Sequence, residues 1–539
     1  MATTPQADLN RNIHPMLGIF AVLLGASLAT FFGRLLSVGI GDLRGALHVD
    51  VDSGSWITTA YNMGLMFVGP FSVFLGGILG ARRVLLASAV AFSVLCLVMP
   101  FAPHLPLLLF LLVLAGLTAG TFYPLTLSFI LRNLPKEYLH AGIAAYAFDI
   151  VVTTHLAHSY EGWLITTLSW RWIFWTISVL TPIMIVLVIF GIPRQPIPQP
   201  KPGQPAPSWR GFFYASLGAA LLYGALDQGV RLDWWRSGTF VAMVVTGSFL
   251  VLAAVVRHFS RPHPLINFPF LGRTNTLLLG LIVCVFRFVL LASVVLIPSY
   301  LAAIKGYRPE QTGPVLLWLA IPQLLAGLLA VYLLGRVDSR LIMTAGFALV
   351  AAGCLMNAQI TSAWSGSTFD MSQLVLALGE GFAFNGMVGT IVLDILNSGS
   401  MQNAADVLSF GGFFQTIRLF GGELGASFIQ FFLHSRQVFH FDVLAAGIQG
   451  GSAPVLARAR LLHAGTRATA ATQDISLGRS VILFGGSIQQ QAFTQAVMDA
   501  FLLIAYVATG CLLVVMCLKT LNVSFKQIIA SSAAAKAGS

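Results

Sequence analysis

MLGIFAVLLGASLATFFGRLLSVGI, Met16 to Ile40, contains one charged residue, Arg34, in an otherwise apolar stretch. A helix needs roughly 17–25 such residues to cross the hydrocarbon of a bilayer. Open strands are excluded there, because lipid satisfies none of their backbone groups. The stretch reads as a membrane helix that carries an arginine. Both features recur along the chain: apolar runs long enough to span, and ionisable residues that lipid penalises.

Working outward, runs of this length fall at about 16–40, 55–79, 83–101, 106–131, 139–165, 171–192, 211–228, 238–256, 276–304, 313–335, 341–361, 371–396, 404–433 and 493–518. Fourteen spans are expected. The polar start, Met1–Pro15, runs into an apolar stretch longer than the core of a signal peptide, with no small-residue cleavage site after it. It reads as a retained first span. The composition agrees: 57% of the 539 residues are hydrophobic and 9% charged, with a mean hydropathy of +0.84. Soluble domains carry about a quarter charged residues, so this chain cannot hydrate a surface of its own size. The five cysteines (Cys96, Cys284, Cys354, Cys511, Cys517) lie in apolar stretches without metal-ligand spacing, which implies packing rather than a disulfide framework.

The net charge of +11 is scattered at the ends of apolar runs, which argues against nucleic acid and for membrane orientation. With the N-terminus inside, the inner segments hold Arg11, Arg82, Arg83, Arg132, Lys136, Arg194, Lys201, Arg210, Arg257, Arg261, Arg273, Arg336, Arg340, Lys519, Lys526 and Lys536. The short outer loops hold Arg44, Arg171, Arg231, Arg236, Lys305 and Arg308. Sixteen against six follows the positive-inside rule, and an even number of spans places both termini in the cytoplasm of a bacterial inner membrane. Residues 193–207, PRQPIPQPKPGQPAP, form an extended proline-rich tether between six spans and the next two. Residues 434–490 read as a long outer loop with short helices, either a spacer or a docking surface for a periplasmic partner.

Ionised side chains inside spans persist where they face a cavity or a partner. Arg34, Asp149, Glu161, Arg287, Glu380, Arg418, Glu423 and Asp499 are such residues, and eight together imply a polar route through the bundle. Depth at about 1.5 Å per residue favours pairing Arg34 with Glu161 over Asp149. Thr154, His158 and Glu161 share one arc of the fifth span, a stripe that lines either a solute path or a polar seam between helices. His155, His158 and Glu161 have spacing for a metal, but no cysteine or clustered carboxylate supports one, and neither metal nor cofactor is expected. Arginines hold their protons and suit an anionic group or a switching carboxylate. Glu380, Asp149 and Glu423 are the groups able to carry protons, since burial disfavours an ionised carboxyl. Structural ion pairing is the competing reading for each. A Walker-type phosphate loop and a nucleophile elbow are both missing from the sequence, which disfavours ATP-driven transport and enzymatic hydrolysis.

SWITTAYNMGLMFVGP (Ser55–Pro70), LAGLTAGTFYPLT (Leu114–Thr126), LSWRWIFW (Leu168–Trp175), IPSYLAAIKGYRPEQTGPVLL (Ile297–Leu317) and QTIRLFGGELGASF (Gln415–Phe428) together resemble the major facilitator superfamily. More narrowly they resemble its fourteen-helix drug:proton antiporter branch. The resemblance implies an all-α membrane fold of two six-helix bundles plus two extra helices, rocking about a central cavity. The corresponding map is 1–192 for the first bundle, 193–209 for the linker, 210–274 for the inserted pair and 275–539 for the second bundle, including the outer loop. GARRVLLASAV and GRVDSRLIMTAG are repeated basic inner turns. By position Gly80, Arg82, Arg83, Arg336, Asp338 and Arg340 inherit gating contacts between the halves. The chain also departs from the branch. Its first-span acid falls on Phe32, its second-loop aspartate on Gly77, and its fourth-span arginine and glutamine on Leu112 and Ala115. The glycine- and proline-rich fifth-span motif is occupied by Thr153, Thr154, His155, Leu156, Ala157, His158 and Glu161, keeping Gly162.

The leading expectation is efflux of a small amphipathic or anionic organic compound, with proton coupling through non-standard carboxylates and a periplasmic adaptor as partner beside substrate and membrane lipid. The alternatives are an uncoupled facilitator or importer, and a non-transporting membrane receptor or assembly partner in which every buried charge is sealed in a pair.

Overall fold

The computed structural model of the chain describes residues 15–134, 139–194, 209–260, 268–397, 404–448, 452–467, 473–519 and 524–528, and among these it is helical throughout, with no strand. Fourteen long helices follow one another. The first six are α1 (Pro15–Val38), α2 (Val51–Leu79), α3 (Ala81–Phe101), α4 (Leu105–Ala119, continued by Phe122–Asn133), α5 (Leu139–Thr167) and α6 (Trp172–Gly191). Next come α7 (Trp209–Gly229) and α8 (Gly238–Phe259). The last six are α9 (Thr274–Lys305), α10 (Pro309–Leu334), α11 (Ser339–Asn357), α12 (Asp370–Asn397), α13 (Ala404–Ala446) and α14 (Gln473–Met516).

Among the described residues, eleven spans are long and apolar enough to cross a membrane by length and composition. The other three are α5, α7 and α13, the helices that carry His155, His158 and Glu161, Asp227 and Gln228, and Arg418 and Glu423. Their polar residues are tolerated because neighbouring helices cover them.

Sequence breaks shape two helices. Pro70 sits in a 3-10 turn, Gly69–Phe71, within α2. Pro298 lacks the N–H that would bond back along α9, and the preceding turn, Ala292–Leu296, opens into a π-turn that buries Ser293. Caps mark the starts: Asp50 accepts from the Ser53 amide at 3.3 Å before α2, and Asp338 accepts from the Arg340 amide at 3.0 Å before α11.

One buried apolar core is built from residues between Ile19 and Ile192. A second runs from Leu271 to Ile528, joined by Ala26, Tyr123, Ile130 and Tyr146 of the first half. Helices α7 and α8 contribute to neither. Instead α7 lies along α2, with Phe212 against Phe71 at 4.9 Å between ring centres. It also touches α13, where the Ser427 hydroxyl donates to the Leu226 carbonyl at 2.7 Å.

The halves meet through small residues. A Cβ on Gly162 of α5 would stand 2.6 Å from the Glu310 Cα, and one on Gly313 of α10 2.6 Å from the Ser159 Cα. Close backbone approach is how membrane helices gain packing energy. This seam closes the end of the molecule that the charge pattern of the turns assigns to the outside. Nearer the inner side, a Cβ on Gly412 of α13 would stand 2.8 Å from the Pro70 carbonyl oxygen.

The outer region differs from the expected loop over 434–490. α13 continues to Ala446, α14 starts at Gln473, and a helix Ala453–Arg467 packs along α14. At about 1.5 Å per residue each long helix exceeds 60 Å, twice the thickness of the hydrocarbon. An alanine-rich sequence with apolar side chains on paired helices favours continued helix over loop. Asp499, expected among the groups of the polar route, instead fastens this hairpin. It accepts from Arg436 Nε at 2.6 Å and lies 2.7 Å from His440 Nε2. Most of the linker 193–209 lies outside the described residues.

Candidate functional site

Arg34 of α1, Arg287 of α9 and Arg418 of α13 sit about 28, 20 and 21 Å along their helices at the usual rise, well inside a membrane span. They converge. Arg287 is an electrostatic neighbour of Arg418, Arg34, Tyr123 and Tyr223, and Arg34 of Tyr223 and Glu423. The Arg418 guanidinium stacks 3.3 Å from the centre of the Tyr123 ring, and its Nε donates to Gln415 Oε1 at 3.1 Å. Among the described residues none of the three forms a salt bridge, and Arg287 Nε lacks a hydrogen-bond partner. All three are half-buried although helices from both halves surround them. They therefore border an internal space.

The nearest carboxyls belong to a second group, which α7 completes. Glu423 Oε2 accepts from the Tyr223 hydroxyl at 2.6 Å and Oε1 from Ser427 at 3.4 Å. Asp227 accepts a short hydrogen bond from Thr59 of α2, which in turn accepts from Gln228. Gln228 Oε1 accepts from Ser55 at 3.0 Å and from Arg231 Nε at 2.6 Å. The Asp227 and Glu423 carboxyls lie within hydrogen-bonding reach of each other. Two carboxyls sharing a site repel each other strongly when both ionise. Asp227 escaped the sequence reading because it stands at the very end of its apolar run. An ionisable residue inside a span was nonetheless the usable signal.

Glu380 of α12 is fully buried. Its Oε1 accepts from Ser293 at 2.6 Å and its Oε2 from Gln323 Nε2 at 2.8 Å. His155 Nε2, reaching across from α5, lies 3.6 Å away. This contact joins the two halves, and the π-turn in α9 supplies one of its donors.

Glu161 does not pair with Arg34. It is fully buried beside Asp42 and Glu310, with no hydrogen-bond donor on either oxygen. His158, one turn earlier, faces Arg34 and His155. The stripe of Thr154, His158 and Glu161 thus divides between two surroundings: α5 passes the arginine group at His158 and has reached the outer seam by Glu161. Thr154 is buried. The three potential metal ligands diverge, His155 toward Glu380, His158 toward Arg34 and Glu161 toward Asp42. The side chain of Asp149 lies outside the described residues.

The family model described as Major Facilitator Superfamily matches residues 22–426. The chain belongs to the major facilitator superfamily. Among curated relatives, the probable multidrug resistance protein EmrY of Escherichia coli (strain K12) is 27% identical over 444 residues, covering 80% of this chain and 83% of that protein. The fatty acid resistance protein FarB of Neisseria gonorrhoeae is 23% identical over 492 residues, covering 89% and 92%. A solved proton:xylose symporter of the superfamily, XylE, shares the fold with a TM-score of 0.56 at 11% identity, covering 96% of this chain and all of that one.

Within this superfamily fold the two basic inner turns make matching contacts. Arg82 donates to the carbonyls of Ile192 at 2.8 Å and Ile189 at 2.9 Å, at the end of α6. Arg340 pairs with Asp338 at 2.7 Å and donates to the Leu518 carbonyl at 3.2 Å, just past α14. Arg83 donates to Leu79 at 3.3 Å, Arg336 stacks 4.1 Å from the Tyr332 ring centre, and Gly80 takes φ +88°. In this conformation each of these contacts stays within its own half, rather than running between the halves as the resemblance implied. Departures from the branch motifs have packing reasons. Phe32 is fully buried among Tyr61, Phe92 and Phe174, where an acid would lie unsolvated. Leu112 and Ala115 are likewise fully buried.

Proposed function

We propose that this multi-pass superfamily transporter exports small anionic or amphipathic organic compounds across a bacterial inner membrane, with both termini in the cytoplasm. The observation that carries the reading is the convergence of Arg34, Arg287 and Arg418 from both halves, without salt bridges, around an internal space. Guanidinium groups bind carboxylates and other oxyanions strongly in such surroundings. A receptor with sealed pairs would leave no such unpaired cluster. The names of EmrY and FarB, a multidrug and a fatty acid resistance protein, support export of organic compounds. The dominance of basic residues in the inner turns supports the orientation.

Proton coupling is assigned to Asp227 of α7 and Glu423 of α13, of which Glu423 adjoins Arg34. The extended outer ends of α13 and α14 offer a surface for a periplasmic adaptor. The polar residues at the fifth-span motif support a second reading, an uncoupled facilitator.

Flux of a labelled alkylsulfonate into inverted proteoliposomes, with and without a pH gradient, tests both. Export predicts uptake that is lost in an Arg34→Gln/Arg287→Gln/Arg418→Gln variant. Uptake equal to that of empty liposomes removes the proposal, and uptake indifferent to the gradient leaves the facilitator.

A further inference from the structure

The outer wall of the arginine group carries an apolar cleft of about 280 Å³, lined by Leu226 of α7, Leu281 and Cys284 of α9, and Phe420, Gly421 and Leu424 of α13. Leu281 and Leu424 are exposed at its rim, so it opens toward lipid. Its inner end approaches the charges. Cys284 stands one helical turn before Arg287 on α9, and the glycines opposite follow in step: Gly421 packs against Cys284, and Gly422 against the Arg287 guanidinium. Phe420 lines the cleft and meets the Tyr223 ring at 6.4 Å between centres, and the Tyr223 hydroxyl holds Glu423.

We propose that this cleft receives the hydrocarbon chain of a single-chain anionic amphiphile whose head group is held by Arg287, so that the cargo enters sideways from the membrane between α7, α9 and α13. The inference rests on the anion-export reading and names its substrate class and entry route. Charge complementarity selects the occupant. Three guanidiniums against two carboxyls leave the inner end net positive, and the half-buried Arg287 guanidinium is a donor without a salt-bridge partner among the described residues. A neutral lipid tail would satisfy the walls and leave that donor empty. An anion with one chain satisfies both, because head and tail sites are one helical turn apart. The inserted helix α7 gains a role by this account: it forms one wall of the entrance and positions Tyr223 and Asp227 at its inner end.

The test uses the full chain in nanodiscs with dodecanesulfonate and hexanesulfonate, permanent anions that share a head group and differ in tail. Binding is compared between wild type and a Leu281→Trp/Leu424→Trp variant at equal lipid, so that partition into lipid cancels. Both positions are exposed at the rim, where indole rings narrow the cleft without entering the core. Affinity for dodecanesulfonate is expected to fall about tenfold relative to hexanesulfonate, the equivalent of roughly two methylenes denied an apolar site. A fold-independent measurement uses dodecanesulfonate with a terminal diazirine on wild-type protein. Crosslinks are expected on segments containing Leu226, Leu281 and Leu424. Equal effects on both probes, or crosslinks confined to other helices, overturn the proposal and mark the cleft as a lipid-filled surface, leaving anion export standing. Failure of wild type to bind either probe removes the export reading and this inference with it.

Discussion

Glu380 separates a structural from a functional charge, and two substitutions there should behave oppositely. The carboxylate is fully buried and accepts hydrogen bonds of 2.6 Å from Ser293 and 2.8 Å from Gln323. Hydrogen bonds to a charged group contribute about 1.5–3 kcal/mol each. Glu380→Ala should therefore cost about 3–5 kcal/mol, in line with breaking a buried polar pair. Glu380→Gln should cost only about 1 kcal/mol, for a reason visible in Gln323. That side chain donates through Nε2, while its Oε1 has no partner. A flip of the Gln323 amide presents this oxygen to the new amide and restores the bond, and Ser293 still donates to the remaining oxygen. What the glutamine cannot restore is a carboxylate 3.6 Å from His155 Nε2, the polar contact between the halves. The outer seam should then open more often. Unfolding in mixed detergent with SDS measures the first effect. Maleimide labelling of Ser159→Cys, at the seam facing Gly313, measures the second, with faster labelling expected in Glu380→Gln. Glutamine as damaging as alanine, or labelling unchanged while the protein remains folded, would refute the reasoning.

Arg287→Gln should weaken alkylsulfonate binding about 10- to 100-fold, without loss of folding stability, since it removes repulsion from Arg418 and Arg34; binding and SDS unfolding on the same preparation check both. Alkylsulfonate affinity should rise as pH falls, because each proton bound by the Asp227 and Glu423 pair adds a positive charge beside Arg34. Asp227→Asn/Glu423→Gln should flatten that slope, and a slope that survives the double variant would transfer the titration to another group, His158 first. At the inner turn, burial alone would raise the Asp338 carboxyl, but hydrogen bonds from the Arg340 side chain and amide, with its charge, outweigh burial and hold it below the usual 3.8. A depressed carboxyl stabilises the folded state above its unfolded value and loses that contribution as pH falls through its folded value. Asp338→Asn should thus lower thermal stability at neutral pH, with the difference from wild type vanishing at pH values below 3.8.

Sequence alone determined the solvent, the number of crossings and the presence of a polar route, because the cost of a charge in lipid depends on residue type and run length, which a linear string contains. Arg34, Arg287 and Arg418 were legible for that reason, as were the repeated turns at Arg82 and Arg340. Which charge meets which was decided by tertiary structure. Depth along a helix is one coordinate, and partnership also needs the rotation and neighbours of that helix. Arg34 and Glu161 match in depth, yet Glu161 turns to Asp42 and Glu310 while His158 takes the place beside Arg34. Asp227 and Glu423 lie on helices separated by some two hundred residues, and only the placement of α7 along α2 and α13 brings them together. Helical rotation and interhelical packing are set by contacts between distant segments, and no local property of either segment encodes them.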